Sequence, residues 1–136
     1  MKAKIQRAMT RLRKRIEISC HRNELPFSPN TLGGACGISS FLVFRILKKM
    51  GFRPVFHINP DHCFVTVAAH KKYWVDLTLT QFASTAGDVF IEPRRFNSRV
   101  HRSNRRATRV ADIRKLFNRW PDEQNPFKQK LPKITI

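Results

Sequence analysis

Residues 33–51 constrain the fold of this chain more than any other stretch. Two glycines precede Cys36, and apolar residues then recur at three- and four-residue spacing, namely Ile38, Phe41, Leu42, Ile46 and Met50. This period predicts a helix with one buried face that ends at a Gly51 C-cap. Cys36 then lies at the helix N-terminus, where unpaired N–H groups and the helix dipole favour a thiolate over a thiol.

Length and composition favour a single domain over residues 1–136. Hydrophobic residues make up 41% of the 136 residues, which is enough for one core. No apolar run reaches the length of about eighteen residues that spans a membrane, and the basic N-terminal stretch has no signal-peptide core. Three cysteines without paired spacing indicate a reducing, cytoplasmic setting rather than a disulfide scaffold.

Around the cysteine helix, the sequence predicts an α+β fold in which this helix packs on a small antiparallel sheet. Residues 2–18 form a basic amphipathic helix, with Arg13 on its basic face. A catalytic core over residues 30–92 contains four strand-like segments: Arg53–Ile58, His62–Val67, Tyr73–Thr80 and Val89–Glu92. Three segments follow, namely an Arg-rich loop or extended arm (94–109), a helix capped by Thr108 (108–120), and a tail that docks or stays flexible (121–136).

Two downstream residues are candidate partners for a cysteine nucleophile, which needs a base that is itself oriented by an acceptor. His62 opens one predicted strand and Asp76 lies in the next. If residues 68–70 form a three-residue turn, Val67 faces Lys71, and His62 lies directly opposite Asp76 on the same face. A two-residue turn would instead place them on opposite faces.

Three stretches resemble papain-like and transglutaminase-like cysteine enzymes. Residues 34–40, Gly-Ala-Cys-Gly-Ile-Ser-Ser, resemble their nucleophile helix. Residues 62–65, His-Cys-Phe-Val, and 73–78, Tyr-Trp-Val-Asp-Leu-Thr, resemble the histidine and aspartate strands of the transglutaminase-like branch. The resemblance covers about residues 30–82. It implies Cys36 as nucleophile, His62 as general base, Asp76 as the residue that orients it, and a thioester intermediate.

Supporting residues are less clearly marked. Many papain-like members carry an oxyanion-hole glutamine six residues before the cysteine, where this chain has Asn30. The backbone N–H of Cys36 is the alternative donor to an oxyanion. Neighbours of the aspartate are candidates for supporting the strand around it, namely Trp74, Thr78 and Gln81.

Simpler interpretations remain open for each of these residues. Cys36 could be an inert core thiol, His62 a strand-end histidine without chemistry, and Asp76 an acceptor for a turn or cap. His57 is a rival base, and Cys63 is expected to face away from His62 and serve packing.

No metal or cofactor is predicted. The chain contains enough histidines and cysteines to bind zinc, but they lack the paired spacing of zinc sites. These residues are Cys20, His21, Cys36, His57, His62 and Cys63.

A formal net charge of +18 implies an acidic partner, whether nucleic acid, a ribonucleoprotein, a membrane face or an acidic protein substrate. Few aromatic residues accompany the arginines, so any nucleic-acid contact would be to the backbone and salt-dependent. The predicted partner-binding residues are the arginines of the arm: Arg94, Arg95, Arg99, Arg102, Arg105, Arg106 and Arg109.

Together these features predict a cysteine-dependent hydrolase of a protein amide or acyl group, either a peptidase or a glutamine deamidase. The alternatives are a transglutaminase or acyltransferase of the same fold, and a non-catalytic basic module that binds nucleic acid or ribonucleoprotein. A small basic chain of this kind would suit an effector, toxin-like domain or phage protein acting in a host cell.

Overall fold

The computed structural model describes residues 1–29, 32–83, 87–131 and 133. They form helices α1 (Lys2–His21), α2 (Cys36–Lys49) and α3 (Val110–Leu116) and strands β1 (Val55–Ile58), β2 (Cys63–Ala69), β3 (Lys71–Asp76), β4 (Phe90–Glu92) and β5 (Arg105–Ala107). The strands form one antiparallel sheet in the order β4-β3-β2-β1-β5. The predicted α+β class is therefore confirmed. No helix in the described part of the chain is long and apolar enough to cross a membrane.

One row of neighbouring side chains crosses all five strands on the face that joins the core of α2. We call it the inner row: Ile91, Val75, Val65, Phe56 and Ala107. All five are buried in one hydrophobic cluster with α1 and α2. Along each strand, successive side chains point to opposite faces of the sheet. The alternating apolar residues of the sequence therefore lie on this face.

Helix α2 has close neighbours around its first turn. A Cβ atom on Gly37 would lie 2.5 Å from the backbone oxygen of Gln124 and 2.9 Å from the Phe117 ring, so only glycine fits there. The C-terminal segment crosses at this point, and the Phe127 ring centroid lies 4.8 Å from that of Phe41. The described part of the tail is therefore docked on α2.

The β2–β3 hairpin differs from its predicted register by two residues. Val65 pairs with Val75, and Ala69 pairs with Lys71 across His70, whose φ is 65°. Neither the three-residue turn nor the two-residue alternative is formed, because the strands pair up to either side of His70 alone. Because the shift is an even number of residues, each side chain keeps its face. Continuing the pairing places Asp76 opposite Phe64, diagonally from His62 rather than directly across.

The opposite face of the sheet carries a different set of side chains. We call it the outer row: Phe90, Asp76, Phe64, His57 and Arg106, placed side by side by the strand pairing and its continuation. Phe64, His57 and Asp76 are buried, although the helices pack on the inner face.

The arm covers this outer row. Val100 and His101 are buried, and the His101 ring centroid lies 4.9 Å from Phe64 and 5.4 Å from Phe90. Residues 105–107 of the arm form β5, which pairs with β1. The interpretation of residues 94–109 as a loop or extended arm is therefore corrected for this part, which packs through its few non-arginine side chains.

Both terminal helices differ from their predictions. The first continues to His21, and Arg13 is buried rather than exposed: its guanidinium donates to the Leu77 carbonyl and pairs with Glu17 at 2.8 Å. The last helix is shorter than residues 108–120, since α3 ends at Leu116. Its N-cap residue follows Thr108 and makes no side-chain capping bond.

Candidate active site

Cys36 is the first residue of α2 and is only 3% exposed. One turn later, the Ser40 hydroxyl donates to the Cys63 carbonyl at 3.0 Å and ties the helix to the start of β2. The side chains of His62 and Cys63 are the neighbours whose hydrogen bonds lower the pKa of the Cys36 thiol. The structure thus brings the cysteine and histidine together, as the resemblance implies.

His62 and Asp76 form a fully buried pair. The His62 Nε2 lies 2.6 Å from Asp76 Oδ2. The other carboxylate oxygen accepts from the backbone N–H and hydroxyl of Thr78, at 2.9 and 3.3 Å. Asp76 therefore acts both as the partner of the histidine and as a turn acceptor, with one oxygen for each, and Thr78 fixes its orientation.

The charges of the three groups stabilise one another. The hydrogen bond from Cys63 lowers the pKa of Cys36, burial raises it, and His62 lowers it further, to about 5. Burial lowers the pKa of His62, but the charge and hydrogen bond of Asp76, together with Cys36, raise it to about 10. Burial raises the pKa of Asp76, yet His62 and His101 hold it well below its usual range. Near neutral pH the arrangement favours a thiolate, an imidazolium and a carboxylate.

Cys63 has a role that its sequence position does not reveal. Burial, and then the hydrogen bond and charge of Cys36, raise the pKa of the Cys63 thiol well above its ordinary value. Cys63 is therefore the thiol of this pair that keeps its proton. Its prediction as a packing residue is incomplete, since strand alternation fixes its face but not what α2 brings to that face.

His101 is the member of this buried cluster that sequence analysis missed. Its Nε2 lies 2.8 Å from Asp76 Oδ2, and its Nδ1 accepts from the Phe96 backbone N–H at 3.0 Å. Since a backbone N–H can only donate, the proton of the neutral ring is on Nε2 and is donated to Asp76. No spacing signal connects His101 with a residue 25 positions earlier.

Gln81 joins the two halves of the site. Its Oε1 accepts from the Gly34 N–H at 3.2 Å, and its Nε2 donates to the Thr78 hydroxyl at 3.2 Å. The same Nε2 lies 3.4 Å from His62 Nδ1. Gln81 thus links the loop before α2 to the turn after Asp76, as a supporting residue would.

The other two predicted supporting residues are Asn30 and Trp74. Asn30 lies outside the described residues. Trp74 pairs with Thr66 and Glu92 in the sheet and packs under the Lys72 ammonium, 5.3 Å from the ring centroid. None of these contacts connects Trp74 with the proposed catalytic residues.

Both ring nitrogens of His57, the rival base, have hydrogen-bond partners. Its Nδ1 lies 2.8 Å from the Ser103 hydroxyl and its Nε2 lies 2.7 Å from the Thr66 hydroxyl. Burial and the nearby charges of Lys72 and Arg106 lower its pKa to about 4, so the ring is neutral at pH 7. His57 therefore has no nitrogen to offer Cys36.

A cleft of about 430 Å³ gives access to Cys36. Gly34 and Gln81 line it beside the cysteine, while Phe82 packs edge-on against His62 with centroids 4.8 Å apart. The opposite wall comes from the segment after α3, namely Arg119, Trp120, Pro121 and Gln124. The cleft is therefore bounded by the part of the tail that is docked on α2.

His62, Asp76 and His101 also form the group that could hold a metal ion among the described residues, with ligand atoms within 4.8 Å of one another. Both histidine Nε2 atoms, however, lie at hydrogen-bonding distance from the same carboxylate oxygen. Hydrogen bonds account for this arrangement, and a metal would have to displace both Nε2 protons.

Comparison with known proteins leaves the chain without an assigned family: no family model matches it, and neither a curated protein nor a solved structure does so.

Proposed function

We propose that the chain is a cysteine-dependent hydrolase that acts on an amide or related acyl group of a protein. The observation that supports this most strongly is the buried His62–Asp76 pair at 2.6 Å, next to Cys36 at the start of α2. A buried carboxylate needs a partner to offset its desolvation. Here the partner also contacts a thiol whose pKa is lowered to about 5.

In the first half of the reaction, the Cys36 thiolate attacks the acyl carbon. The resulting oxyanion accepts from the Cys36 backbone N–H, which belongs to a first helical turn without acceptors inside the helix. The His62 imidazolium gives its proton to the departing amine as the carbon–nitrogen bond breaks. The products are the free amine and a thioester on Cys36.

In the second half, neutral His62 takes a proton from water, which attacks the thioester carbon. The carboxylic acid leaves and the Cys36 thiolate is regenerated beside the imidazolium. Asp76 stabilises that imidazolium in both halves. We favour hydrolysis over transfer because the cleft is open to water. Hydrolysis gives a carboxylic acid in both cases, whether the amide is a peptide bond or a glutamine side chain.

Selective alkylation tests the proposed nucleophile. We expect iodoacetamide at mildly acidic pH to label Cys36 and leave Cys20 unlabelled, because burial raises the pKa of the Cys20 thiol. Peptide mass spectrometry quantifies both sites in one sample, so Cys20 is an internal control. The His62→Ala variant should lose the selective labelling while retaining the same circular dichroism.

Equal, slow labelling of all three cysteines in the folded protein would contradict the proposal. A second assay follows ammonia release and new peptide termini after incubation with unfolded acidic proteins. Ammonia indicates a deamidase and new termini indicate a peptidase, whereas Cys36→Ala should produce neither.

A further inference from the structure

Three of the seven arginines in the arm are gathered in one pocket beside the cleft. The pocket has a volume of about 570 Å³, and Arg95, Arg99 and Arg102 line it. Pro60 and Asp61 line both this pocket and the cleft that contains Cys36. The two cavities are therefore neighbours that share one wall, formed by the turn directly before His62.

The pocket is held in place by a buried side chain. Asn59 is 5% exposed, and its amide donates to the carbonyls of Val100 and Arg102 at 3.0 and 2.7 Å. Its oxygen accepts from the N–H groups of Asp61 and His62, each at 2.8 Å. One amide thus fixes both the segment that carries the arginines and the backbone of the proposed base.

The pocket has an excess of positive charge. Asp61 is its single acidic lining residue against three guanidinium groups. None of the ion pairs formed within the described parts of the chain involves Arg95, Arg99 or Arg102. By contrast, Arg109 pairs with Asp112 at 3.2 Å. Guanidinium groups bind carboxylates in a bidentate manner, so these three are suited to an acidic ligand.

We propose that this pocket binds acidic side chains of the substrate next to the amide that enters the cleft. The inference rests on the proposed function, because amide chemistry at Cys36 requires a polypeptide in the neighbouring cleft. It selects Arg95, Arg99 and Arg102 as the residues that determine specificity. It also identifies the substrate class as a polypeptide with aspartates or glutamates on one side of the reacting residue.

Two triple variants separate position from net charge. One is Arg95→Ala/Arg99→Ala/Arg102→Ala. The matched control is Arg7→Ala/Arg11→Ala/Arg15→Ala, which removes the same charge from exposed arginines of α1 that do not line this pocket. Both are made in full-length Cys36→Ala protein, and thermal unfolding verifies that each is folded.

Fluorescence anisotropy then measures binding of a labelled peptide in which glutamates flank one side of a central glutamine. We expect the pocket variant to bind about tenfold more weakly than its parent, as the loss of three exposed ion pairs predicts. The control variant should bind with nearly unchanged affinity. Equal weakening in both variants, or no weakening in either, would overturn the proposal, as would tighter binding of an oligonucleotide of equal charge that displaces the peptide.

A second measurement joins the pocket to the nucleophile. The same peptide carrying a chloroacetyl group in place of the glutamine amide should alkylate wild-type Cys36 faster than a peptide without glutamates. The pocket variant should lose this advantage and the control variant should keep it. If binding follows the expected pattern but Cys36 is never alkylated selectively, the pocket stands and the proposed chemistry fails. If Cys36 is alkylated selectively but the acidic peptide reacts no faster, the proposed chemistry stands and the pocket proposal fails.

Discussion

The inner and outer rows of the sheet are built from adjacent residues of the same strands, yet they use opposite chemistry. Val75 of the inner row packs in the apolar core, whereas the next residue, Asp76, binds two histidines on the outer face. The inner row is stabilised by burial, which tolerates small displacements. The outer row depends on hydrogen bonds between buried charged groups, which fail when one partner is absent. Apolar packing and the buried charged network are thus placed on different faces, while Cys36 at the start of α2 belongs to the apolar core cluster.

Phe44→Ala should give the largest effect and affect stability alone. Phe44 is fully buried in α2, and its truncation should lower the free energy of unfolding by about 4 kcal/mol. Urea denaturation followed by tryptophan fluorescence measures the loss. Alkylation of Cys36 in the fraction that remains folded should be unchanged. A reduced rate in that fraction would mean that the two faces are not separable.

Asp76→Asn should lower both the stability of the chain and the reactivity of Cys36. Whichever way the new amide is oriented, its NH₂ group faces a donor, either Thr78 or the two histidines. We expect a loss of about 3 kcal/mol in unfolding free energy. Without the carboxylate charge the pKa of His62 should fall, and Cys36 alkylation at pH 6 should lose most of its rate. Asp61→Asn, an exposed residue, is the matched control and should match wild type in both measurements.

His101→Gln should have a smaller effect than Asp76→Asn in both respects. It removes one hydrogen bond to a charged group, which contributes about 2 kcal/mol, while His62 keeps its own bond to the carboxylate. Cys36 alkylation should therefore slow but retain its midpoint near pH 5. A midpoint that moves to the ordinary range of a thiol would assign His101 a role as large as that of His62.

His57 should contribute the smallest effect, and only as a dependence on pH. Its pKa is lowered to about 4 in the folded chain, against about 6.5 when unfolded. A lowered histidine pKa means that its contribution is present above about pH 6.5 and is lost as the pH falls toward 4. Between pH 7 and 5.5 the loss should be about 1 kcal/mol. Urea denaturation at both pH values, in wild type and in His57→Gln, isolates this difference. If the free energy of unfolding falls equally in the two proteins, protonation of His57 does not destabilise the folded chain.

The sequence predicts the inner face well because a repeating apolar pattern records it. The start of α2 at Cys36 and the two central strands follow from helical and alternating periods. His62 and Asp76 come together despite a wrong turn length, because a shift of two residues preserves the face of each side chain.

Three contacts in and around the site could not be predicted in the same way. His101 lies in a segment dominated by arginines, with no period to indicate that it turns inward. The contact between Cys36 and Cys63 depends on how closely α2 approaches β2, which neither segment specifies alone. The charge of Arg13 predicts an exposed side chain, yet its guanidinium donates to the carbonyl of Leu77, the residue after Asp76.

Asn59 has a consequence for the order in which the chain folds. Its bonds to Val100 and Arg102 join positions 41 and 43 residues apart, whereas the β2–β3 hairpin closes across a single residue. Contacts between distant positions carry a larger loop-closure cost and form late. We therefore expect the hairpin to form early and the outer face to close last. A partly folded chain would then hold Cys36 as an ordinary thiol and acquire a reactive one only on completing the fold.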